Sequence, residues 1–215
     1  MKALNNLVIQ VSHSAGLFIF SAILAFGSLF IVFFNINDVF EPIVGAQLFD
    51  FQNDLTVEQV FEQLPNYNES AIALYYAFVF IDFLFPVFAS LTLGAASAFA
   101  IRYLSPRWYG KINGLNLFAV YFIPAMFDWL ENFSAIAVIN AYPNELTWAA
   151  GLLVIAKKGK LTTVMIMQLV SWTLLLLALL KWIWTFLLLP LLKWIWTFLL
   201  LPLLRWIGRK VGLTK

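Results

Sequence analysis

Cysteine is absent from the 215-residue chain, and histidine occurs once, at His13. The first absence excludes disulfides, thiolate chemistry and cysteine-ligated zinc or iron–sulfur centres. The second excludes a multi-histidine metal site and a bis-histidine haem. No metal and no cofactor is therefore expected. Charge is scarce as well. Asp, Glu, Lys and Arg together make up 11% of the residues, against roughly 25% in a soluble domain. The net charge of +2 implies no nucleic-acid partner.

What fills the space is apolar. Hydrophobic residues are 63% of the chain, 22 of the residues are Phe and 9 are Trp. Mean hydropathy is +0.89. A water-soluble fold of this length has no interior large enough for so much apolar surface, so the expected solvent is lipid. Aromatic side chains suit lipid-facing surfaces and the headgroup boundary. The expected partners are membrane lipids and other membrane protein subunits.

The runs of apolar residues predict an all-α transmembrane four-helix bundle, with spans at about 7–34, 71–101, 114–140 and 161–180. The first run is too long for a signal-peptide core of about 7–15 residues and ends without a small-residue cleavage site, so it reads as an uncleaved span. Residues 35–70 form the one sizeable polar segment, an outside loop. Within it Thr56-Val-Glu-Gln begins a short helix with Thr56 as its cap, and Pro65 ends it. Its apolar stripe, Val57, Val60, Phe61 and Leu64, predicts a lid resting on the bilayer or on the mouth of the bundle. Pro86 and Pro124 interrupt the second and third spans. The short apolar segment 146–156, followed by Lys157, Lys158, Gly159 and Lys160, reads as an interfacial or re-entrant helix, because 11 residues do not cross a bilayer. Residues 181–215 form a tail. The stretch 179–190 is repeated without change at 191–202, and a degenerate third copy begins at Leu203. Kinked at Pro190 and Pro202, the tail is expected to lie along the interface, held by Trp and by snorkelling Lys.

Charge sorting sets the expected orientation. With the N-terminus in the cytoplasm, Lys2, Arg102, Arg107, Lys111, Lys181, Lys193, Arg205, Arg209, Lys210 and Lys215 fall on the cytoplasmic side, 10 of 13 basic residues. Of the 11 acids none does. This follows the positive-inside pattern of a multi-pass protein of the cell (inner) membrane with both termini cytoplasmic.

Three carboxylates stand where charge is expensive: Asp82, Asp128 and Glu131. Asp128 and Glu131 share a helix face at i, i+3. Counted at the helical rise, Asp82 is about 16 Å below the outer end of its span, and Asp128 about 21 Å above the inner end of its own. Matched depth predicts one polar pocket in the outer half of the membrane. Its candidate members are Asp82, Asp128, Glu131, Asn132, Lys158, Lys160 and Tyr76, with Lys157 as a further possible counter-charge. A buried charge costs about 2.5–3.5 kcal/mol on insertion scales, so these groups should face inward and be paired or protonated. Three roles are open to them: a clasp between helices, a binding or transport site for a cation, proton or headgroup, and an acid–base pair acting on a lipid-soluble substrate. A di-iron carboxylate centre would need Glu-x-x-His pairs, which are absent. His13, between Ser12 and Ser14, is far from the acids and reads as an interfacial residue bonded to a neighbour.

Several of these stretches carry a resemblance: Phe49-Asp50-Phe51-Gln52, Tyr76 leading to Asp82 and Phe85-Pro86, Asp128-x-x-Glu131-Asn132 leading to Tyr142-Pro143, and a basic residue at Lys158 or Lys160. In these the chain resembles a family of small bacterial four-span integral membrane proteins of unknown function, over roughly residues 7–180. The repeated tail departs from that pattern. The functional expectation is a non-enzymatic accessory subunit or lipid-contacting scaffold. Its alternative is a small intramembrane enzyme or carrier that uses the carboxylates on a hydrophobic substrate or a proton.

Overall fold

The computed structural model of the chain describes residues 1–202 and residue 204. Leu203, Arg205, Arg209, Lys210 and Lys215, named above for the third repeat and for the charge sorting, lie outside the described residues. Among the described residues the fold is all-α. Four helical runs are long and apolar enough to cross a membrane: Ala15–Val44, Glu69–Leu104, Leu117–Ala141 and Thr147–Leu200. The protein is a membrane-protein helical bundle.

The first apolar run is not one helix. Helix α1 (Lys2–His13) ends at Ser14, whose backbone is extended, and α2 (Ala15–Ile31) begins there. The Ser14 hydroxyl accepts from the Leu17 amide, 3.3 Å away, which caps α2 and fixes the break. The first span therefore starts eight residues later than its apolar run. It continues through a π-helical turn, Val32–Asn37, into α3 (Asp38–Val44).

The loop beyond α3 is folded throughout. It holds α4 (Val57–Gln63), opened by a Thr56–Gln59 capping box. Gln52 and Gln63 exchange hydrogen bonds of 2.8 and 2.9 Å, and Asn66 donates to the Val44 carbonyl. Val60 and Leu64 are buried with Phe40, Phe49, Tyr75 and Phe78. The stripe rests on the mouth of the bundle.

The second span breaks where Pro86 predicts it. Helix α5 (Glu69–Asp82) stops, Phe83 and Leu84 turn, and α6 (Phe85–Leu104) resumes with Pro86 in its first turn. After α7 (Pro106–Gly114), the third span opens as a 3-10 stretch, Leu117–Phe122, and becomes α-helical in α8 (Ile123–Ala141). Pro124 thus starts a helix rather than bending one, as suits a residue without an N–H.

The expectation of a separate helix over 146–156 is corrected. Helix α9 runs unbroken from Thr147 to Ile183. The lysine-rich stretch does not break it because Lys157 and Lys160 turn inward and are buried. Gly159, between them, lets α8 approach closely: a Cβ there would lie 2.6 Å from the Phe127 ring.

Small residues and hydroxyls join the helices in the middle of the bundle, as membrane packing favours. Tyr121 donates to the Ser97 hydroxyl at 2.6 Å, and Ser97 to that of Ser171 at 2.9 Å. Ser21 and Thr92 are 3.0 Å apart between α2 and α6. Beyond Lys181 the chain stays helical through α10 (Leu189–Ile195) to Leu200 and projects past the bundle. Each tail proline follows a π-helical turn, Trp184–Leu188 before Pro190 and Trp196–Leu200 before Pro202. The wider turn relieves the clash of the ring with the carbonyl four residues back. The sequence repeat is a structural repeat.

Candidate functional site: a buried acid–lysine cluster

The break between α5 and α6 leaves Asp82 on the last turn of α5, facing α8. The Trp129 indole donates to the exposed-chain carbonyl of Phe83 at 3.0 Å, so the turn does not leave that acceptor orphaned. On α8, Asp128, Glu131 and Asn132 share one face at i, i+3 and i+4, and all three are buried. Across from them α9 offers Lys157 and Lys160, also at i, i+3. A fourth carboxylate comes from the loop. The 3-10 turn Phe49–Phe51 dips between α8 and α9 and brings Asp50 into the cluster.

The connections are dense. Lys157 Nζ donates to the carbonyls of Phe49 (2.7 Å) and Asp50 (2.6 Å) and to Glu131 Oε1 (3.3 Å). Lys160 Nζ pairs with the Asp50 carboxylate and lies 3.0 Å from Asp128 Oδ1 and 2.6 Å from Glu131 Oε2. The Asn132 amide donates to Asp82 at 2.9 Å and to Asp128 at 3.4 Å. An ammonium has three N–H groups; Lys157 gives all three to groups of this protein, whereas Lys160 hydrogen-bonds Asp50 and meets Asp128 and Glu131 as ion pairs, with Glu131 Oε2 left without a hydrogen bond. Carboxylate oxygens of Asp50, Asp82 and Asp128 lie within 4.8 Å of one another, a spacing that fits a metal ion. The Lys160 ammonium already brings positive charge between Asp50 and Asp128.

Of the sequence-based candidates, the structure brings together Asp82, Asp128, Glu131, Asn132 and Lys160. Two others are corrected. Lys158 is exposed, because one residue along a helix rotates the side chain by about 100° from the face Lys157 and Lys160 share. Tyr76 is also exposed, and its hydroxyl donates to Asn140 at 2.5 Å, away from the carboxylates. Lys157, expected as a counter-charge, joins the cluster as the i, i+3 partner of Lys160. Asp50 was not among the candidates: it had no signal in spacing, since its place depends on how the loop folds.

Asp50 stands outside the spans, and its acidity follows from its neighbours. Burial pushes its pKa up, but the Lys160 and Lys157 ammoniums outweigh burial and hold it below the ordinary 3.8. In the same loop, burial pushes the Tyr67 phenol well above its usual range.

A cavity of about 220 Å³ opens beside the cluster between α6, α8 and α9. Asp50, Asp128 and Lys160 form its polar edge, and Phe85, Leu93 and Met167 are among its apolar walls. At the other end of the molecule, His13 contacts the Tyr109 hydroxyl at 3.2 Å rather than a neighbouring Ser.

A scan against protein-family models, a search of the curated proteins and a search of the solved structures each return no match.

Proposed function

We propose that this membrane protein is a non-enzymatic scaffold, in which the acid–lysine cluster is a clasp that fastens the polar loop to the bundle. One observation carries the reading. Lys157 Nζ gives its hydrogen bonds to two loop carbonyls and to Glu131, and Lys160 Nζ is ion-paired with Asp50, Asp128 and Glu131, so both ammoniums are neutralised within the fold. The loop then presents a fixed surface to a lipid headgroup or to another membrane subunit, while the exposed Phe, Leu and Ile of the helices contact lipid.

The same reading sets the membrane level. The helical runs Ser14 to Asn35, Asp82 to Arg102 and Lys160 to Lys181 each cover about 30 Å, the thickness of a hydrocarbon core. Polar residues end each run. A slab between those levels puts the clasp at its outer edge, where buried charge is cheaper than at mid-depth. The loop end faces outside and the tail end the cytoplasm, in keeping with the excess of basic residues near the latter. Of the residues that carry the resemblance to the four-span family, Asp50, Asp82, Asp128, Glu131, Asn132 and Lys160 belong to the clasp, whereas Tyr76 and Tyr142-Pro143 do not.

The cavity beside Asp128 favours a second reading, a carrier or intramembrane enzyme for a hydrophobic molecule with a polar head. Two substitutions separate them. Asp128→Ala strips Lys160 and Asn132 of a partner and should destabilise the bundle by about 2–4 kcal/mol. Asp128→Asn keeps the shape and a hydrogen bond, and under the scaffold reading it should melt well above Asp128→Ala in detergent. If both variants melt like the wild type yet lose a copurifying small molecule, the carrier reading replaces the scaffold.

A further inference from the structure

A second cavity, of about 590 Å³, lies at the tail end, where α1 breaks from α2. It falls within the roughly 300–1,000 Å³ typical of ligand sites. Its walls are apolar: Val11, Phe18 and Ile19 from the N-terminal helices, Ala95, Ala96 and Phe99 from α6, with Leu175 of α9 closing one side. The polar groups collect at one end, Arg102 with His13 and the serines of the break, and no carboxylate lines it.

Arg102 is held for recognition. Its Nη2 donates to the Ser12 carbonyl at 3.1 Å, and the guanidinium lies 5.8 Å from the Phe99 ring and 5.9 Å from the Tyr109 ring. Its Nη1 is buried and meets no hydrogen-bond partner among the described residues. The side chain as a whole is half-buried and lines the groove, where no carboxylate neutralises it. The group that would complete the site is an anionic oxygen at the polar end of the apolar groove. Arginine is suited to that role, because its planar fork matches phosphate and carboxylate. Arg102 also sits two residues before the end of α6, where Lys181 donates to the carbonyls of Tyr103 and Leu104 at 2.8 and 3.1 Å. Two cations at one level mark headgroup depth.

We propose that this groove binds one anionic membrane phospholipid, its phosphate on Arg102 and one acyl chain against Phe18, Ala96 and Phe99. The charge of the site selects against zwitterionic lipid, and the groove selects against free phosphate. The inference does not depend on the clasp, which lies at the opposite end.

The test uses the full chain in nanodiscs of phosphatidylglycerol and phosphatidylcholine in equal parts. After delipidation in detergent, native mass spectrometry counts the lipid retained. Wild-type protein should keep one phosphatidylglycerol. Arg102→Gln should lower that retention roughly tenfold or more, as expected for losing a charge-assisted contact. Ala96→Phe should lower it as well by filling the groove. That variant leaves the Arg102–Ser12 bond in place and so tests the site independently if Arg102→Gln unsettles the bundle. Equal retention of phosphatidylcholine, displacement of the lipid by inorganic phosphate alone, or unchanged retention in either folded variant would overturn the proposal.

Discussion

At the loop end, Lys157 and Lys160 meet carboxylates that neutralise them, whereas at the tail end Arg102 lines an apolar groove that holds no carboxylate. The lysines are buried inside α9, and Arg102 is half-buried in the last turn of α6. Their company differs. The lysines repeat at i, i+3 opposite acids that also repeat at i, i+3, so two helix faces satisfy one another and lock. Arg102 has no facing acid in its groove, so its unmet donor is left for something from outside. Pairing within the fold is what supports the proposed clasp, and a cation short of partners is what supports the proposed lipid site.

The comparison breaks most forcefully at Lys160. Lys160→Met removes the ammonium shared by Asp50, Asp128 and Glu131 and leaves three carboxylates facing one another. Loss of one partner from a buried ion cluster costs about 3–5 kcal/mol. Thermal melting in detergent should fall accordingly, whereas Arg102→Gln should leave melting nearly unchanged. A larger fall for Arg102→Gln would reverse the roles assigned to the two ends.

A smaller effect is expected at Gly159. A methyl there would meet the Phe127 ring at 2.6 Å, so α8 and α9 must separate or the ring must turn. Gly159→Ala should cost about 1–3 kcal/mol, the range for overpacking. Chemical-shift changes or cross-linking should then locate the disturbance at the clasp. A wild-type melting point would mean that the ring yields freely and that close approach is not what positions the lysines.

The mildest expected effect is that of pH. The pKa of Asp50 is lowered in the folded chain, so its contribution to stability is fully present above the ordinary carboxylate value. It is lost only as pH falls below 3.8. Loop docking, followed by protease accessibility of residues 45–55, should be constant from neutral pH down to that point and weaken below it. Release of the loop at mildly acidic pH would contradict the ion pairing assigned to Asp50.

The helices were legible in the sequence because lipid imposes a simple rule of length and hydropathy. The clasp was legible in part for a related reason. Charges in apolar helices are rare enough that spacing alone pairs Asp128 with Glu131 and points to Asp82. Its lysines were harder to assign. Helical rotation, and not mere proximity in sequence, selects Lys157 and Lys160 over Lys158. Asp50 stood out only through the resemblance and not through spacing, because its position depends on the tertiary fold of the loop, on the Phe49–Phe51 turn and on the lysines it meets. The break at Ser14 is marked in the sequence by Ser12-His13-Ser14, but those three residues are short against the apolar runs that flank them. The hydroxyl cap that fixes it is worth about 1 kcal/mol. That break opens the groove above Arg102, so the receptor end was the less readable of the two.

The central claim is that Lys157 fastens the loop to the bundle. Hydrogen–deuterium exchange of the full chain in nanodiscs, wild type against Lys157→Met, tests it directly. The account predicts that amides of residues 45–64 are protected in the wild type and exchange at least about tenfold faster in the variant, with α6 and the tail end unchanged. Protection of that loop at wild-type level in a folded Lys157→Met chain would contradict it.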